Sequence, residues 1–102
     1  MLASFSVIPV GTGEELSDLI SELVPVIETS GLPFRLGAMQ TTVEGDPSAV
    51  MDVIMECHAH MKSRASRVLT SITIDDRAGA TNRLTGKVAD VEHHLGRRVP
   101  HE

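Results

Sequence analysis

Five side chains of this sequence have the chemistry of a polar ligand pocket: Ser6, Thr42, Glu44, Ser71 and Thr73. Hydroxyls donate and accept hydrogen bonds, and a carboxylate meets a nitrogen donor with charge-assisted ones. They do not form a nucleophilic set. No histidine falls near a serine in the pattern, and no Gly-x-Ser-x-Gly turn is present, so binding without catalysis is expected. His58 and His60 are two apart on a helical stretch and fall on different faces, as do the adjacent Cys57 and His58. His93 and His94 have no ligand partner at a useful spacing. A metal centre needs three or four converging ligands, so none is expected, and no cofactor either. Met39, Met51, Met55 and Met61 read as gap-filling core or interface residues. Gly11-Thr12-Gly13 lacks the spacing and the lysine of a phosphate loop and reads as a turn. Asp75-Asp76-Arg77 reads as a turn in which Arg77 neutralises a neighbouring carboxylate.

What must position the five residues is a sheet. Leu2 to Val10 is a short run with Phe5, Val7, Ile8 and Val10, followed by Gly11, and predicts a first strand. Thr12 and Glu15 have capping-box spacing, and Leu16, Leu19, Ile20, Leu23, Val24 and Ile27 give a wide helical face over about 13–30. Pro25 is expected to bend its last turns. Phe34 to Glu44 predicts two strands, with the turn near Gly37-Ala38. Asp46-Pro47 opens a second helix with an apolar stripe through Val50, Val53, Ile54, Cys57 and Met61, with His58 at its rim. Arg67 to Asp75 is rich in β-branched residues and predicts the last strand. A weaker helix follows from about Thr81 to Leu95, and the tail 97–102 is expected to fray. The first six elements make the split βαβ pattern: an α+β, ferredoxin-like βαββαβ antiparallel sheet with an extra C-terminal helix. Both main helices cover one face of such a sheet. Period-two alternation then puts Ser4, Ser6, Ile8, Gln40, Thr42, Glu44, Leu69, Ser71, Thr73 and Asp75 on the other face.

Composition narrows the partners. The 102 residues carry nine basic and fourteen acidic side chains, a net charge of −5, which disfavours nucleic acid and anionic membranes. Phe5 and Phe34 are the only aromatic residues, too few for a base-stacking platform. One cysteine excludes an internal disulfide framework and fits a reducing compartment. No signal peptide or membrane span is expected, which makes the cytoplasm the default location. Length allows one core, hence a single domain over 1–96.

An ordered set of short motifs runs through the whole of that domain. It comprises Pro9-x-Gly11-Thr12, Met39-x-Thr41-x-x-Glu44-Gly45, His58, Arg67-Val68-x-Thr70-Ser71, Asp75-Asp76-Arg77 and Lys87-Val88-x-x-Val91. In this the chain resembles the small ferredoxin-like thiamine-binding proteins. The resemblance implies non-catalytic binding of thiamine or its hydroxymethylpyrimidine half by a homo-oligomer, with dimers pairing into a homotetramer. An aminopyrimidine offers a ring nitrogen and an exocyclic amine, which a carboxylate such as Glu44 can meet. The alternative is an interaction module whose open sheet face is a subunit interface and takes no small molecule.

Overall fold

The computed structural model describes residues 1–13 and 16–102. The capping box expected of Thr12 and Glu15 lies outside the described residues. Eight elements follow in order: β1 (Leu2–Val10), α1 (Leu16–Ser21), α2 (Leu23–Thr29), β2 (Phe34–Leu36), β3 (Thr41–Glu44), α3 (Pro47–Lys62), β4 (Arg67–Asp75) and α4 (Arg83–Leu95). The sheet order is β2-β3-β1-β4, antiparallel throughout, which is the ferredoxin-like arrangement with α4 added.

The helix expected over 13–30 is two helices, broken at Glu22. Pro25 has no N–H for the Ser21 carbonyl, and its ring crowds that same carbonyl, so the ladder fails one turn before the proline. The Glu22 N–H instead closes a tight turn onto the Leu19 carbonyl at 3.2 Å. α3 begins where the sequence indicates, with Asp46 as N-cap in extended backbone and Pro47 in the first turn. Gly37 N–H donates to the Gln40 carbonyl at 3.0 Å, so the β2–β3 loop is Ala38-Met39. A side-chain carbon on Gly37 would run into that carbonyl and into the Glu102 carboxylate, which is why glycine stands there.

The core is aliphatic, as the composition requires. Alternation along β1 and β3 sends Ala3, Phe5, Val7 and Val43 into it. There they meet Leu19, Leu23 and Ile27 of α1 and α2, and Val50, Val53, Ile54, Cys57 and Met61 of α3. Burial pushes the Cys57 thiol up to about 11, with the Glu56 carboxylate acting in the same direction. His58, at the edge of the stripe, hydrogen-bonds through Nδ1 to the Thr70 hydroxyl of β4 at 2.7 Å. The far end of β4 runs beyond this cover. Ile72 and Ile74 point toward the helical side yet stay exposed, Ile74 by 50%.

β1 and its neighbours differ in length. β4 accompanies all nine residues of β1, but β3 only Leu2 to Phe5. β1 therefore runs on past the tip of the β2–β3 hairpin. At the other end of the chain, α4 buries none of its residues completely. The tail 97–102 lies back along it: the Val99 N–H donates to Glu92, and the Ala38 N–H of the hairpin loop donates to Glu102, both at 2.8 Å.

Candidate functional site

The pairing fixes where each candidate lies on the open face. Thr42, Ser4 and Thr73 form one row across β3, β1 and β4, and Ser6 and Ser71 pair in the next. Ser71 and Thr73 are exposed, while Ser4, Ser6 and Thr42 are half-buried. Four of the five candidates thus gather within two adjacent rows, joined by Ser4. Glu44 stands one row further on, opposite Leu2, whose other neighbour is Asp75.

Glu44 is engaged by the protein itself. Its two carboxylate oxygens accept the backbone N–H groups of Arg83 at 2.8 Å and Leu84 at 3.0 Å. These are the first donors of α4, which have no partner within the helix. The N-cap position is held by Asn82 in the left-handed region (φ 54°), where its own side chain makes no capping bond. A carboxylate 38 residues earlier in the sequence caps the helix in its place, favoured by the helix dipole.

A second wall of charge rises beside it. Lys87 pairs with Asp75, and Arg83 pairs with Asp90 at 2.7 Å. Lys87, through a hydrogen bond and its charge, holds the Asp75 carboxyl below the usual carboxylate range, with Arg77 and Arg83 as smaller contributors. Arg83 does the same for Asp90. Arg77, expected to neutralise a neighbouring carboxylate, acts on Asp75 less than Lys87 does. Met1, Leu2, Glu44, Arg77, Arg83 and Lys87 line a cavity of about 150 Å³ at this end of the sheet. Alternation puts Asp75 on this face but says nothing of Arg83 and Lys87, which come from α4. The pairing of Asp75 with Lys87 spans a turn and the start of a helix, which no sequence period marks.

The histidines do not converge. His58 is tied to Thr70 on the helical side of the sheet, and His60 Nε2 lies 2.9 Å from Glu22 at the break between α1 and α2. Among the described residues no group of three or more histidine, cysteine or acidic side chains is placed to hold a metal ion. Among them, too, no helix is long and apolar enough to cross a membrane.

A four-stranded antiparallel sheet with α1, α2 and α3 on one face and rows of hydroxyls on the other defines a ferredoxin-like α+β domain with a polar sheet surface. The sequence model of the thiamine-binding protein family matches residues 3–92, and the chain belongs to that family. It is 42% identical over 96 residues to a UPF0045 protein of Mycobacterium bovis, covering 93% of this chain and 94% of that one. A hypothetical protein of Methanocaldococcus jannaschii has a similar solved structure, with TM-score 0.81 and 28% identity over 88% of this chain and 93% of that one. So does a Thermotoga maritima protein for which a role in thiamine biosynthesis or salvage has been suggested. Its TM-score is 0.75 and its identity 27%, over 88% of this chain and 96% of that one.

Proposed function

We propose that this protein binds thiamine or its hydroxymethylpyrimidine half, without transforming it, as a cytoplasmic homo-oligomer. Membership of the thiamine-binding protein family across residues 3–92 carries this reading. The open sheet face supports it. Ser6, Thr42, Ser71 and Thr73 supply neutral donors and acceptors around a surface of an acidic protein that tolerates a thiazolium cation. Glu44 serves the ligand indirectly, by anchoring the helix that closes one end of that face. Calorimetric titration of thiamine into the folded protein is the test. Saturable heat is expected, and none at millimolar ligand overturns the reading.

A second reading has its own observation. β4 is an edge strand of nine residues with Leu69, Ile72 and Ile74 exposed, and unprotected edges of this kind pair with other chains. On that reading copies meet along the β4 edge, and the open face beside it, with Leu69, Ser71 and Thr73, is part of the interface. The substitution Thr73→Arg separates the two. Loss of ligand heat with assembly intact favours binding, and dissociation of the oligomer, from a wild type that itself gives no ligand heat, favours the interface.

A further inference from the structure

The stretch of β1 beyond the hairpin tip carries hydrogen-bonding groups that the sheet leaves over. Met1 and Gly45 exchange both backbone bonds, Met1 N–H to the Gly45 carbonyl at 2.9 Å and Gly45 N–H to the Met1 carbonyl at 3.1 Å. They lie one step before Leu2–Glu44 in the same register, so the odd-numbered residues of β1 aim their N–H and C=O at β3 and the even-numbered ones at β4. Ala3 and Phe5 find Val43 and Thr41 there. Val7 comes next and finds no strand, because β3 has ended and the chain has turned at Ala38-Met39. The β1–β3 ladder ends at Phe5, and among the described residues no turn or loop bond reaches the Val7 N–H or its C=O. Unpaired main-chain groups on so buried a residue, 3% exposed, are uncommon in a folded protein.

These groups look into a cleft. It has a volume of about 80 Å³ and runs between β1, α1, α2 and the hairpin tip. Its walls are aliphatic: Ile20, Val24, Leu36 and Met39, with Ser6 and Thr41 at its margins. Met39, 87% exposed, stands at the rim. A cavity that takes a benzene ring whole has about 150 Å³, so a single flat ring enters this cleft by one edge and keeps the other toward solvent.

We infer that this cleft reads the aminopyrimidine ring through the main chain of Val7. The ring nitrogen accepts from the Val7 N–H, and the adjacent exocyclic amine donates to the Val7 carbonyl. A donor beside an acceptor on the ring edge is the complement of a strand residue's own pair, and bonds left unmade in a buried site are costly. Aliphatic side chains grip the ring faces, which removes the need for aromatic residues that this sequence lacks. Ser6 belongs both to the cleft and to the open-face row with Ser71, so the rest of a thiamine molecule leads from the cleft onto the hydroxyl surface. The inference rests on the proposed binding of thiamine and names the part of the molecule that is recognised.

The test uses the full chain, calorimetry and amide-resolved NMR, with hydroxymethylpyrimidine and its analogue in which an oxo group replaces the amine. In that analogue both positions of the ring edge reverse polarity, the amine becoming an acceptor and the ring nitrogen a donor. Expected are saturable binding of hydroxymethylpyrimidine, a shift and slowed exchange of the Val7 amide with Ala3 and Phe5 unchanged, and an oxo analogue weaker by about 100-fold or more. If hydroxymethylpyrimidine binds but the Val7 amide does not respond, or the oxo analogue binds equally, the inference falls and the thiamine reading stands. Absence of heat from both thiamine and hydroxymethylpyrimidine removes the two together. Protection of the Val7 amide that grows with protein concentration in the absence of ligand also overturns it, since a second copy's strand then occupies the flank.

Discussion

Glu44 shows how one side chain can be read correctly for its face and differently for its partner. Alternation places it on the open face, and there it is, but its oxygens are taken by the amides of Arg83 and Leu84. Glu44→Ala is expected to cost about 0.5–2 kcal/mol, the range for losing a helix cap. The loss registers in urea unfolding and in faster exchange of the first α4 amides. Cys57 makes the opposite case, a residue whose chemistry is switched off by its place. With its thiol raised to about 11 by burial, it is expected to resist alkylation at pH 8 until the protein unfolds, which mass spectrometry with and without urea checks. The capping role of Glu44 was not legible because its partners lie 39 and 40 residues away in the sequence, on a helix whose N-cap residue, Asn82, makes no side-chain capping bond of its own.

Among the elements, β1, α3 and β4 were legible with their ends, since β-branched runs, a proline at the helix start and turn residues all agree there. The first helix was not, because the periodic apolar face continues through the break and hides what Pro25 does to the carbonyl one turn earlier. Nor was the free flank of β1. It arises from the mismatch between a nine-residue strand and the four-residue β3 beside it, a comparison between elements that no single period contains. The junction of β4 with α4 is electrostatic. Lys87 lowers the Asp75 pKa, so the pair's contribution is present above the ordinary carboxylate value of about 4 and disappears as pH falls below it. Wild type and Asp75→Asn are therefore expected to differ in thermal stability at pH 7, by a small margin that 1 M salt reduces, and to draw together as pH falls through the lowered Asp75 pKa.

At the scale of the molecule, the chain extends 46 × 28 × 20 Å, and its exposed apolar residues include Leu69, Ile72 and Ile74 on β4 and Val91 and Leu95 at the end of α4. If β4 joins copies, the protein runs as an oligomer in light scattering. Ile74→Lys is then expected to shift it to the monomer, with monomer stability changed by no more than about 0.5 kcal/mol, as for other surface positions. The anchoring of α4 has a mechanical side. Thirteen residues of helix make an arm about 20 Å long. Its fulcrum is the carboxylate of Glu44, and a tilt of about 10° there carries the far end roughly 3 Å. Val91 and Leu95, each 52% exposed, lie toward that far end, while the charged pairs of Arg83 and Lys87 sit close to the pivot. A small tilt of this lever therefore changes the apolar surface on offer much more than the charge, and the tail contact from Glu102 to the hairpin loop acts as its stay.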